Sequence, residues 1–219
     1  MHVHVNAAAS LDGKLSSRRR EQVRISGDDD FARVDEIRAA ADAVAVGVGT
    51  VLADDPHLTL DDPDLVTARE DRGDPPHPAR VVADSRARTP TDARVLDDAA
   101  TTYVLVSEAA PADRREALDS AGAELVVAGE TRVALPDALG ALESRGVDRL
   151  MVEGGGELIF SLFEADLVDE LTLYVGSMVI GGRDAPTLAD GEGFVADFPR
   201  PSLRDVERVD DGVLLTYDC

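Results

Sequence analysis

Cysteine is nearly absent from this 219-residue chain, with Cys219 at the very end as its only representative. That excludes an internal disulfide framework and any cysteine-based zinc cluster. Lysine is as scarce: of 22 basic residues, 21 are arginine and one is Lys14. Forty-four acids against those 22 bases leave a net charge of −22. So negative a surface repels a phosphate backbone, which argues against a nucleic-acid partner. Acid excess with little lysine is read as adaptation to concentrated salt, where self-repulsion is screened. An acidic protein from a GC-rich genome would look the same. Long apolar runs are also missing. The most apolar stretch, Ala43 to Ala53, is short and glycine-rich, so no membrane partner is expected. Met1-His2-Val3-His4-Val5 has neither the basic region nor the apolar core of a secretory signal, and a soluble cytoplasmic protein is expected.

What is present is a core. Apolar residues make up 44% and recur in runs along the whole chain, which excludes wholesale disorder. Val3 and Val5 alternate with polar neighbours as in a strand that ends before the Asp12-Gly13 turn. Ser26 before Asp28-Asp29-Asp30 reads as a helix N-cap, with Phe31, Val34, Ile37 and Ala41 at helical spacing. Val44 to Val46 reads as a buried strand, and Asp61 to Pro78 as a surface loop. Strands are then expected over 80–84, 102–107, 124–127, 149–152 and 171–175, alternating with helices over 112–121, 135–144 and 158–163. That alternation argues for βαβ units and a parallel sheet. Leu203 to Val209 and Val213 to Tyr217, joined at Asp210-Asp211-Gly212, read as a hairpin that makes the sheet mixed. No repeat or interdomain linker appears, so residues 1–219 are expected to form a single domain.

Ligands of open α/β sheets gather at the carboxyl ends of strands. Three such ends carry unusual residues: Gly47-Val48-Gly49-Thr50, Asp84-Ser85-Arg86 and Glu153-Gly154-Gly155-Gly156. Consecutive glycines let backbone N–H groups approach a phosphate at a helix start, although the same glycines suit a plain strand-to-helix turn. Leu52 and Ile159 stand where a dinucleotide fingerprint needs its third glycine. Ser85 and Arg86 can hold a phosphate or act as a cap and a solvated arginine. Arg38 is either a surface partner for acids or an inward phosphate ligand. Asp54-Asp55-Pro56 reads first as a turn, and His57 as a surface or packing residue. No H-E-x-x-H, G-x-S-x-G or Walker A pattern occurs. Phosphate-friendly strand ends without an obvious nucleophile suit a reaction whose reactive atom belongs to a cofactor.

Six ordered blocks then carry a resemblance across residues 6–217. They are Ser10-Leu11-Asp12-Gly13-Lys14, Val46-Gly47-Val48-Gly49-Thr50-Val51, Asp54-Asp55-Pro56-His57-Leu58-Thr59, Arg80-Val81-Val82-Ala83-Asp84-Ser85, Val152-Glu153-Gly154-Gly155-Gly156 and Ile180-Gly181-Gly182 before Ala185-Pro186-Thr187. With these the chain resembles the riboflavin-pathway reductases, which are similar in fold to dihydrofolate reductase. The resemblance implies an α/β domain with a mostly parallel mixed sheet, helices on both faces and a C-terminal antiparallel hairpin. It implies NADPH-dependent reduction of a ribosylaminopyrimidine 5′-phosphate to the ribitylamino compound, with NADH a possible substitute, in a homodimer. Bacterial relatives carry a zinc deaminase domain whose H-x-E and P-C-x-x-C patterns are absent here, so no metal is implied. The chain looks like the standalone archaeal form, which acts on the undeaminated diamino pyrimidine.

By the same resemblance, NADPH would meet Ala8, Thr50, Asp54, Asp84, Ser85, Arg86, Val152, Gly154, Gly155 and Gly156. The substrate would meet Asn6, Arg38 and Leu58, with Arg38 on its phosphate. Glu153 would orient the substrate and favour an iminium charge during hydride transfer to C1′. Bacterial relatives tend to carry lysine where Asn6 stands, so Asn6 is assigned to reading the undeaminated ring. They also carry an arginine near Asp61, and that role does not transfer to an aspartate. A reductase of a deaminated pyrimidine or of a pterin, and a non-catalytic NADPH-binding sensor, are the rival readings.

Overall fold

The structure is a computed structural model that describes residues 1–21 and 23–219. Valine-rich segments of five to eight residues form its centre, where β-branched side chains pack well on a pleated surface. The first seven strands are β1 (His2–Ala9), β2 (Ala43–Gly47), β3 (Ala79–Ala83), β4 (Thr102–Val106), β5 (Glu124–Val127), β6 (Arg149–Gly154) and β7 (Glu170–Val175). They run parallel, and the hairpin strands β8 (Ser202–Val209) and β9 (Gly212–Asp218) add antiparallel to β7. The nine-stranded order is β5-β4-β3-β2-β6-β1-β7-β9-β8. Among the described residues the α-helices are α1 (Asp28–Ala40), α2 (Val48–Asp54), α3 (Pro63–Asp71), α4 (Ala112–Ser120), α5 (Leu135–Glu143) and α6 (Gly156–Glu164).

Both faces of the sheet are covered. Val3, Val5, Ala45, Val81 and Val152 point to the face packed by α5 and α6, through Leu139, Leu142, Ile159 and Leu162. Val44, Val46, Val82 and Val104 point to the other, against Val48, Val51, Leu118 and the apolar side of α1. No helix among the described residues is long and apolar enough to cross a membrane.

Three sequence expectations need correction. Residues 61–78 are not all loop. Asp62 accepts from Asp64 N at 2.8 Å, Pro63 opens α3, and the only buried residue of that helix is Arg69. Arg69 Nη1 donates to Ala39 O and Ala41 O and so closes the C-terminus of α1. Ser26 is not the N-cap of α1. Gly27 is, and the cap acceptor comes from Asp210 in the distant hairpin turn, whose carboxylate takes Asp29 N and Asp30 N. Phe31 is exposed, with Arg24 over its ring. Val34, Ile37 and Ala41 pack on the core as expected, but the buried residues within α1 are Asp30, Asp35 and Ala39, so the helix turns a polar side inward beside its apolar one.

The Ser10–Lys14 block has a structural task. Asp12 accepts from Ser10 Oγ at 2.7 Å, Ile180 N at 3.0 Å and Gly181 N at 2.7 Å. These donors pull its pKa down to about 2, hydrogen bonding to the charged form being the main cause. Asp12 thus pins the 177–182 segment to the end of β1.

Candidate active site

Strand register builds a polar row. Val5 pairs with Val152, which places Asn6 and Glu153 beside each other past the core on the α1 side. Asn6 pairs with Thr172 on its other flank. The row Thr172–Asn6–Glu153 therefore crosses three neighbouring strands, mid-strand in β7 and β1 and at the carboxyl end of β6, and the polar side of α1 stands over it.

Arg38 reaches down from α1 and forks onto Glu153, with Nε to Oε1 at 2.5 Å and Nη2 to Oε2 at 2.8 Å. Nη1 adds Thr59 O at 3.3 Å. Both side chains are mostly buried, and two parallel charge-assisted bonds hold both planes. Burial works against the Arg38 charge, but Glu153, Asp35 and Asp61 outweigh it and raise its pKa. One turn earlier, Arg33 donates to Asn6 Oδ1 at 2.9 Å and to buried Asp30. Asp35 Oδ2 accepts from Asp61 N and Asp62 N, tying the 58–62 loop to the helix.

That loop borders an open cleft of about 450 Å3, lined by Arg38, His57, Leu58, Thr59, Asp61 and Arg94 among others. Leu58 is buried and holds a positive φ of +56°, a strained conformation for a leucine that turns the loop in under the cleft. Asp61 faces the same cleft, and so does Arg94. Arg94 lies in a 3-10 turn, its backbone N–H is held by Asp55 Oδ1 at 2.8 Å, and its guanidinium makes no ion pair among the described residues. His57 is half-exposed there with Nδ1 3.3 Å from Asp97.

The glycine-bearing strand ends of β2 and β6 lie against each other. A Cβ on Gly155 would sit 3.2 Å from Gly47 Cα and N, and Gly155 holds φ +93°. The positive φ favours glycine here, and the close approach of the Gly47 backbone adds to that preference. Thr50 Oγ1 stands 3.5 Å from where a Gly154 Cβ would be, which brings Thr50 to the same place. At Gly156 a Cβ would meet Asp190 and Thr187 O at 2.7 Å. Helices α2 and α6 both begin here, and neither has a capping side chain. Their leading N–H groups thus suit the diphosphate of a nicotinamide dinucleotide.

The remaining predicted cofactor positions spread around this centre. Val152 is a fully buried core side chain, so a ligand meets only its backbone. Ala8 lies on β1 two residues beyond Asn6, on the same face, beside Ile25 and Tyr174. Asp54 ends α2 on the surface, with partial burial raising its pKa. The Asp84–Arg86 corner follows β3. Asp84 is fully buried and accepts from Thr89 N at 2.7 Å and Thr89 Oγ1 at 2.8 Å, so its carboxylate shapes the turn and offers a ligand backbone only. Ser85 Oγ accepts from Val133 N at 3.0 Å and keeps its proton, while Arg86 is exposed.

Sequence reasoning missed Asp30, Arg33, Asp35, Thr172 and Arg94. Four charged residues of α1, at positions 30, 33, 35 and 38, form an inward side, a pattern visible at helical spacing. In so acidic a chain it passes for a solvated surface.

Residues 1–215 match the family described as RibD C-terminal domain. The 2,5-diamino-6-ribosylamino-4(3H)-pyrimidinone 5′-phosphate reductase of Archaeoglobus fulgidus is 48% identical over 215 residues, 98% of this chain and 96% of that protein. A pyrimidine reductase-like protein of Corynebacterium diphtheriae superposes with TM-score 0.86 at 18% identity, covering 99% of this chain and 91% of that one. Dihydrofolate reductase of Enterococcus faecalis does so at TM-score 0.50 and 14% identity, covering 99% and 95%, which places the fold in the dihydrofolate-reductase-like class. The chain belongs to the RibD C-terminal domain family of reductases.

Proposed function

We propose that the protein reduces 2,5-diamino-6-(ribosylamino)-4(3H)-pyrimidinone 5′-phosphate to its ribitylamino product with NADPH, a step of riboflavin biosynthesis. The observation that carries this reading is the Arg38–Glu153 fork beside Asn6, next to two uncapped glycine-started helices. One half of the site suits a polar heterocycle and the other a dinucleotide diphosphate. The archaeal relative bears the name of this activity over nearly its full length.

Thr50 and the backbone of Gly154 to Gly156 would hold the cofactor, with Arg86 nearest the outer corner. When bound, a nicotinamide supplies hydride. The chain aligns the acceptor, which carries most of the rate in such a reaction. The ribosylamine would open to a C1′ imine as its N–H proton passes to the ring oxygen, which becomes a hydroxyl, and one hydride at C1′ with one solvent proton at nitrogen would complete the ribitylamine. Glu153 places a carboxylate where the iminium charge develops, and Arg38 fixes the carboxylate plane. Arg94, with Arg38 and His57, lines the cleft mouth where the 5′-phosphate would sit. A 2′-phosphate on the cofactor would find Arg86 and the Ser85 hydroxyl. We further assign a homodimer, because β8 presents an outer edge with Leu203 and Val206 both more than half exposed. The −22 net charge supports function in concentrated salt.

The test follows NADPH absorbance at 340 nm in molar KCl with the diamino substrate and its deaminated analogue in parallel. Oxidation with the diamino compound is expected. Tight NADPH binding without oxidation by either would contradict the reading.

A further inference from the structure

The network around Asn6 determines which end of its amide a ligand meets. Asn6 is buried, and its Oδ1 accepts from Arg33 Nη2 at 2.9 Å and Thr172 Oγ1 at 2.8 Å. A guanidinium carries donors only, so the amide oxygen must face Arg33, and a flipped amide would set NH2 against N–H. Arg33 is itself fixed, with Nε and Nη2 donating to Asp30 Oδ1 at 3.0 and 2.7 Å. Thr172 is fixed from the other side, its Oγ1 2.8 Å from His4 Nε2. Because the threonine proton goes to Asn6, the threonine oxygen accepts from His4 Nε2–H. Arg33 Nη2 and the Thr172 hydroxyl therefore both donate to Asn6 Oδ1, with His4 behind the threonine. Thr172 lies on β7, so the oxygen faces that flank and Nδ2 turns away from it, toward the side where Glu153 stands on β6.

We infer that Arg33 and Thr172 are positioning residues that lock Asn6 as a hydrogen-bond donor, so that the site selects a ring nitrogen with a free lone pair over one that carries hydrogen. This rests on the proposed function and deepens it. In the diamino pyrimidinone, N1 beside the ribosylamino carbon is an acceptor. In the deaminated dione the same N1 carries hydrogen. A locked donor bonds the first and opposes the second, and mismatched buried polar groups discriminate strongly between analogues.

The test is the ratio of kcat/KM for the diamino over the deaminated phosphate, with NADPH Kd measured alongside. Asn6→Asp keeps the shape and replaces the donor by an acceptor. The ratio is expected to fall at least about tenfold, the effect of one unsatisfied buried polar group. Thr172→Val is expected to lower the ratio in the same direction with NADPH Kd unchanged, and Thr172→Ser to restore it. Loss of both activities in equal proportion in Thr172→Val would show a merely structural role and overturn the inference. So would an unchanged ratio in Asn6→Asp, or a wild-type preference for the dione that Asn6→Asp abolishes, since the donor would then read the C2 carbonyl. Turnover of neither pyrimidine by the wild type would refute the proposed function itself.

Discussion

Replacing Glu153 by glutamine removes one charge at the centre of the site and leaves the side-chain volume intact. Arg38 now donates through Nε at 2.5 Å and Nη2 at 2.8 Å to two carboxylate oxygens. Glutamine offers one oxygen and one NH2, and the guanidinium has no acceptor to meet the NH2. One charge-assisted bond is therefore lost, and a donor faces a donor. That change is common to free and bound enzyme; what the transition state loses is the attraction between the Glu153 carboxylate and the iminium, and a charged contact of about 1.5–3 kcal/mol lost there slows the reaction about 10–100-fold. The loss falls on kcat because the iminium charge develops after binding. The 154–156 backbone is untouched, so NADPH binding should persist. Fluorescence titration of NADPH, thermal unfolding and steady-state kinetics on Glu153→Gln separate these effects. Wild-type kcat in a folded variant would refute the argument and remove Glu153 from the mechanism.

Further outcomes follow from other parts of the structure. Arg94→Ala should raise KM for the phosphorylated substrate at least about tenfold with kcat nearly unchanged, as loss of a phosphate contact does, and steady-state kinetics read this directly. Asp12→Ala should speed amide hydrogen exchange at Ile180 and Gly181, which lose their shared acceptor. The Asp12 pKa is depressed from 3.8 to about 2, so its stabilisation is complete above about pH 4 and disappears as pH falls through 2. Exchange or proteolysis of the 177–182 segment should follow that window. Arg69→Leu strands Ala41 O at the buried end of α1, leaves Ala39 O only Arg72 Nη2 at 3.1 Å, and should cost about 1–3 kcal/mol, seen as a lower midpoint in denaturant unfolding.

The sheet was readable because its strands are short valine-rich runs bounded by turns, and because Asp210-Asp211-Gly212 announced a hairpin. α3 was not, since the residue that anchors it is Arg69 and it has no apolar stripe for a periodicity to detect. The cap of α1 was hidden for a different reason, its acceptor lying 180 residues away at Asp210. The glycine-rich strand ends were visible as candidates. Their mutual contact depended on the adjacency of β2 and β6, which local patterns do not encode. Arg38 was ambiguous until its fork onto Glu153 showed it facing inward. Arg33 and Thr172 act through Asn6, and only the register of β1 against β7 brings them together.

The central claim concerns where the hydride goes. NADPH deuterated at the transferable C4 position, turned over with the diamino ribosylaminopyrimidine phosphate, should yield a ribitylamino product with a single deuterium at C1′. Product with deuterium elsewhere, or with none, would contradict the account.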